Sequence, residues 1–304
     1  MSRKLKISIL LLAVLVIHVL LSWGYKRVMH ESQLMKCDRE MLSLPAKNYN
    51  LIAGNSHALS VQTEYWENSH VIASYGEEIH QSYFKLKHIL EVQSSRPDTL
   101  LLSFDLGMMH QLALKNQAHQ WYWNKYESSR ELAPFASKKF EFYSHRIVSG
   151  IFPYMDGEVE VYDYFFAKKD STQLMRKSTE IKKLDEIPPL RQLSDTCLKA
   201  QFSPCGIHFF EALLQLCKEN SIVLALVRFP VTPHYYWSQS TCFEPEAYYT
   251  SCDSMLQKSG VNFKILDFHD RYEEEFFRDP HHLKGGEIRK EFTIEILKEL
   301  HFSH

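Results

Sequence analysis

The sequence predicts an α/β protein: a three-layer sandwich on a mostly parallel sheet, preceded by one N-terminal transmembrane helix. Three observations carry that expectation. An apolar run opens the chain almost at residue 1. Further on, short apolar runs recur that are continuous rather than alternating, the pattern of strands buried on both faces. Helix-patterned segments separate them, the succession that produces βαβ units and a sheet covered on both sides.

The anchor comes first. Arg3, Lys4 and Lys6 precede apolar residues 7–23, broken only by Ser8, His18 and Ser22. At ~1.5 Å per residue, that run with Gly24 and Tyr25 nearly crosses a hydrocarbon core of ~30 Å. A cleaved signal peptide is the competing assignment, but the run is long for that role and SWGYKRVMH after it offers no small-x-small cleavage site. The expectation is an uncleaved signal anchor at 7–25, with 1–6 in the cytoplasm. Three basic residues before the run against two after it (Lys26, Arg27) place the body outside the cytoplasmic membrane.

A juxtamembrane segment at 26–48 leads to a domain at 49–304. With 304 residues, 45% of them hydrophobic, and only 10 Gly and 11 Pro, the chain is globular rather than low-complexity. A net charge of −2 provides no basic field for nucleic acid. The six cysteines make no C-x-x-C pair, which argues against a zinc site. Cys197 with Cys205, and Cys242 with Cys252, are close enough in sequence for local disulfides, while Cys217 in FFEALLQLCKEN reads as a buried helix thiol.

In the domain, a strand at 50–53 ends at Gly54, and a turn carrying Ser56 leads into a helix-compatible stretch. A second strand at 70–74 stops at Tyr75-Gly76, and a helix follows over 77–92 with Ile79, Tyr83, Leu86, Ile89 and Leu90 at helical spacing. TLLLSF at 99–104 is a buried parallel strand and completes a βαβ unit. From 112 to 203 an aromatic-rich insertion interrupts the pattern, expected to serve as a lid or partner surface. Regularity returns with a helix at 207–220, a strand at 222–229, a helix at 243–258, a strand at 261–268 and a final helix from 286 to 300.

Two distant stretches carry the chemistry. Ser56 lies on the turn that ends the first strand, where a hydroxyl stands beside backbone N–H groups able to hold an oxyanion. Taken alone, Gly54-Asn55-Ser56 is equally an ordinary turn with Asn or Ser as helix N-cap. Near the other end, Asp279-Pro280-His281-His282-Leu283 precedes the last helix. A carboxylate three residues before a histidine can fix its tautomer, and the imidazole can then take a serine proton. His281, His282 and Asp279 are also possible metal ligands, but adjacent histidines suit one ion poorly, so no metal and no cofactor are assigned.

Together, Gly54-Asn55-Ser56-His57 and Asp279-Pro280-His281-His282-Leu283 resemble the motifs of the SGNH (GDSL-like) hydrolase family. The resemblance spans about residues 49 to 300, leaves the middle third unaccounted for, and implies a flavodoxin-like sheet. It implies Ser56 as nucleophile, His282 as base and Asp279 as its orienting carboxylate, with an oxyanion hole from Ser56, Gly76 and the position of Asp105. Two departures stand out. Asn55 replaces the family's usual Asp, and Asp105 falls where an asparagine amide usually completes the hole. A carboxylate there would repel an oxyanion if ionised and aimed at it, and losing one donor typically costs ~100- to 1,000-fold in rate. The α/β-hydrolase elbow fits less well, because it wants glycine where this chain has Ala58.

Within that family, an N-terminal anchor with an extracytoplasmic body resembles the envelope acyl-transfer branch, which includes the alginate acetylation proteins and the D-alanyl transfer protein of teichoic acid modification (DltD). The resemblance implies a serine acyl-enzyme acting on an envelope glycan or polyol acceptor, with a membrane-bound O-acyltransferase as partner. The alternative is an inactive scaffold or glycan-binding component with the same fold.

Overall fold

The computed structural model describes residues 2–29, 32–106, 109, 120–153, 203–240 and 244–301. In chain order the elements are α1 (Arg3–Met29), α2 (Gln33–Leu42), β1 (Asn50–Ala53), β2 (Ser69–Val71), α3 (Ile79–Glu91), β3 (Thr99–Ser103), α4 (Gln120–Trp123), α5 (Ser129–Leu132) and α6 (Lys139–Ile151). They continue with α7 (Pro204–Glu219), β4 (Val223–Arg228), α8 (Pro233–Ser240), α9 (Pro245–Ser259), β5 (Phe263–Asp267), β6 (Phe277–Asp279), β7 (His282–Leu283) and α10 (Glu287–His301). The chain divides into two compact units, Met1–Lys36 with Leu112–Ser178, and Cys37–Gln111 with Thr179–His304.

The first unit contains α1, whose 22-residue stretch Lys4–Tyr25 is long and apolar enough to cross a membrane, with an 18-residue window of it entirely unburied. At its end Tyr25 is buried with Leu34, Tyr122 and Trp123, and the Trp121 indole N–H donates to the Tyr25 hydroxyl at 3.0 Å. Of the described aromatics of the insertion, Tyr122, Trp123 and Phe142 are buried, whereas Phe140 and Tyr143 on α6 are exposed. The Arg146 guanidinium makes a buried ion pair with Glu127 at 2.7 Å. Tyr154, Tyr162 and Tyr164 of the predicted insertion lie outside the described residues.

The second unit is the α/β body. Its five strands are all parallel, in the order β2-β1-β3-β4-β5. Alternate residues of the central strands point to opposite faces. Ile52, Leu101, Ala225, Val227 and Leu266 join Phe292 and Ile296 of α10 in one core. Leu51, Leu100, Leu102, Leu224 and Leu226 are buried on the other side, where α7 packs against α3 and α9. Helix ends follow ordinary capping chemistry: Ser203 accepts from the Gly206 N–H ahead of α7, and Gly260 closes α9 in the left-handed conformation. Burial pushes the Cys217 thiol up to about 12, as expected of a core thiol.

Some local expectations are revised. The segment after Ser56 forms a 3₁₀ turn, Ala58–Ser60, instead of an α-helix, and Asn55 Oδ1 accepts from the His57 N–H just ahead of it. The Cys37 end of α2, read in sequence as part of a juxtamembrane segment, is built into the α/β unit: Cys37 is fully buried and its thiol donates to the Ala73 carbonyl at 3.0 Å. Cys252 is a buried free thiol, so it is not in the local disulfide expected with Cys242; Cys197 and Cys242 lie outside the described residues.

The strand order reverses direction between the paired strands β1 and β3, with β2 on the outer side of β1, and in open parallel sheets ligands bind at the carboxyl ends of the strands flanking such a point. Ser56 follows β1 and Asp105 follows β3.

Candidate active site

The Ser56 turn is set by close packing. Gly54 has φ +110°, and a Cβ there would lie 2.1 Å from the Ser103 hydroxyl oxygen at the end of β3. Only glycine lets β1 and β3 approach this closely. The Ser103 hydroxyl accepts from the Asn55 N–H at 3.0 Å, and Asn55 Oδ1 accepts from the His57 N–H at 3.0 Å. Ser56 is thus held between two anchored residues.

The second half of the site is a short hairpin of β6 and β7 with Pro280 and His281 at its tip. The Pro280 carbonyl accepts from both the N–H and the hydroxyl of Thr232, at 2.9 and 2.8 Å, which ties the tip to the segment after β4. Asp279 Oδ1 accepts from the His281 N–H at 3.1 Å, and Oδ2 accepts from Arg278 Nε at 3.2 Å. The carboxylate is therefore oriented before it meets an imidazole.

These anchors bring three predicted residues together. His282 Nδ1 lies 2.9 and 3.0 Å from the two Asp279 oxygens, and His282 Nε2 lies 2.9 Å from Ser56 Oγ. With an ionised Asp279 accepting, Nδ1 carries the proton and Nε2 offers its lone pair to the serine hydroxyl. Burial would push Asp279 up, but the hydrogen bond and charge of His282 hold it well below the usual carboxylate range. Burial lowers His282 below an ordinary histidine, and Asp279 only partly opposes this. The imidazole is therefore neutral near pH 7 and competent as a base. Burial, with His282 and His57 nearby, takes His281 down to about 4.

Gly76 has φ +63° and follows Ser74, whose N–H donates to the Gly54 carbonyl at 3.1 Å, so the turn after β2 abuts the turn after β1. Among the described residues, the backbone N–H groups of Ser56 and Gly76 have no internal acceptor. Asp105 is positioned as an acceptor: its Oδ2 takes hydrogen bonds from Asn55 Nδ2 and His57 Nδ1, both at 2.9 Å. An ionised carboxylate has no proton to donate, so its side chain does not supply a third oxyanion donor.

His57 is the participant that sequence reasoning left without a role. It is buried, its ring centroid is 5.3 Å from that of His282, and it joins Asp105, Arg228, Tyr235 and Tyr249 in lining a small aromatic pocket beside the triad. Its adjacency to Ser56 is the signal that could have marked it. Arg228 lies over the Tyr249 ring at 3.8 Å and pairs with Asp267.

No protein-family model matches the chain, and no curated protein matches it.

Proposed function

We propose that the protein is a membrane-anchored, extracytoplasmic serine O-acyltransferase or esterase of the SGNH type, acting on a cell-envelope polysaccharide or teichoic-acid-like polymer. The observation that carries the chemical part is the continuous Ser56–His282–Asp279 relay, with distances of 2.9 Å at both of its links. In this reading Ser56 Oγ attacks an acyl carbonyl while its proton passes to His282 Nε2. The tetrahedral oxyanion faces the N–H groups of Ser56 and Gly76. Collapse breaks the bond to the leaving group, which takes the proton from His282. An acceptor hydroxyl, or water, then attacks the acyl-enzyme, gives its proton to His282 and regenerates Ser56. Asp279 holds the ring and stabilises its cation throughout.

The envelope setting, the glycan or polyol acceptor and a membrane-bound O-acyltransferase partner rest on the resemblance and on the candidate span of α1. A second reading, a non-catalytic scaffold or glycan-binding component, is favoured by one observation: Asp105, where the resemblance implies a third donor, accepts hydrogen bonds from Asn55 and His57. Fluorophosphonate labelling of the full-length protein in detergent, followed by peptide mapping, separates the two. The acyl-enzyme reading expects an adduct on Ser56 that is lost in His282→Ala. Folded protein without an adduct makes the scaffold the better account.

A further inference from the structure

Three imidazoles converge beside Ser56. One ring nitrogen from each of His57, His281 and His282 lies within 4.8 Å of the others. Two of these rings are braced from behind by carboxylates: Asp105 on His57 Nδ1 and Asp279 on His282 Nδ1. A carboxylate there fixes the tautomer and turns the opposite nitrogen into a ready lone-pair donor, the arrangement found behind metal-bound histidines. His57 Nε2 is that nitrogen. It is buried, without a hydrogen-bond partner, on a residue only 5% exposed. His281 Nδ1 is likewise buried without a hydrogen bond, with Asp279 Oδ1 3.6 Å away. Buried polar atoms are rarely left unmatched unless something occupies the space.

We propose that His57, His281 and His282 form a site for a divalent transition metal of the Zn²⁺ type, and that the metal competes with Ser56 for the His282 lone pair. Tetrahedral Zn–N bonds of about 2.0–2.1 Å put ligand nitrogens about 3.3 Å apart. The three rings therefore need to close by no more than about 1.5 Å, within reach of small side-chain rotations. Three imidazole nitrogens suit Zn²⁺, Cu²⁺ or Ni²⁺ rather than Mg²⁺ or Ca²⁺. His281, whose side chain is 33% exposed, supplies the entry side. Although adjacent in sequence, His281 and His282 here turn ring nitrogens to the same point, and His57 from the far end of the chain adds a third. A metal held on His282 Nε2 leaves Ser56 without its base. The inhibitory half of this inference rests on the serine acyl-enzyme reading, whereas metal binding does not.

Titration of the full-length protein in detergent with Co²⁺ reads the site directly through the visible absorption of tetrahedral cobalt, and Zn²⁺ is then added to displace it. The expected result is a tetrahedral spectrum in the wild type and in Ser56→Ala, lost in His57→Ala and His281→Ala. Asp105→Asn should weaken Zn²⁺ by about 10- to 100-fold. Zn²⁺ should also slow fluorophosphonate labelling of Ser56, relative to each variant's own metal-free rate, only where both His57 and His281 are present. A tetrahedral spectrum in protein that never labels supports the metal site and removes the serine reading. Absence of the spectrum from folded wild type, or its persistence in His281→Ala, overturns the proposal. That second variant keeps the test valid if His57→Ala does not fold, because His281 is only partly buried.

Discussion

His282 is the residue on which opposing influences meet. Burial is the largest and favours the neutral ring; His57 and Arg278 act in the same direction; Asp279 favours the cation. The net displacement is downward from the ordinary 6.5. In the acyl-enzyme reading the base must be neutral, so activity is present above the folded pKa and lost as pH falls through it. The acid limb of kcat/KM for an aryl ester should therefore have its midpoint below 6.5, the ordinary value. A limb at or above that value would remove His282 as the base. In Asp279→Asn the tautomer is no longer enforced, and kcat should drop by about 10⁴ while the fold is retained. The ends of this relay were legible in sequence because Gly54-Asn55-Ser56 and Asp279-x-x-His282 each imply a local geometry. The role of His57 was not, since one histidine among 16 gains meaning only when Asp105 and His281 are brought against it.

At the scale of elements, the turn bearing Gly76 hangs on a buried charge cluster at the start of α3. Glu77 accepts from Lys85 Nζ at 2.6 Å, from the Ser74 hydroxyl at 2.8 Å and from the Ser82 hydroxyl at 2.7 Å, and the Lys85 and Glu77 side chains are fully buried. Lys85 also donates to the Ile72 carbonyl at 2.6 Å, tying α3 to the end of β2. Removing one member leaves an uncompensated buried charge, so Lys85→Met should cost about 3–5 kcal/mol in denaturant unfolding. Glu77→Leu with Lys85→Met should regain part of that loss; a neutral single substitution would show that water relieves the cluster. Nothing in the sequence singled out this pair, because a lysine and a glutamate on an amphipathic helix read as solvated. The sheet was easier to read. TLLLSF and IVLALVRF are apolar but for Thr99, Ser103 and Arg228, near-continuous runs that suit strands covered on both faces. The β6–β7 hairpin was missed for the opposite reason: strands of three and two residues are too short to show a period. Helix α8 escaped although Thr232 and Pro233 stood at its start as a plausible cap and first-turn proline.

For the whole molecule, the apolar stretch of α1 and its flanking charges set the expected placement. A C-terminal alkaline phosphatase fusion in cells should be active and the matching green fluorescent fusion dark, with both retained in carbonate-washed membranes. The reverse pattern would put the body in the cytoplasm and remove the envelope substrate from consideration. The relay itself adds a matter of timing. Ser56 and His282 are 226 positions apart in the chain. At about 5–20 residues per second, the ribosome needs about 10–45 s to travel from one to the other. During that interval a nascent chain exposes a serine with no partner, as inert as any surface hydroxyl. In the acyl-enzyme reading the serine waits for the β6–β7 hairpin, made long after it, to supply its base. In that reading, a chain stalled or clipped before residue 279 lacks both Asp279 and His282 and should leave esters untouched.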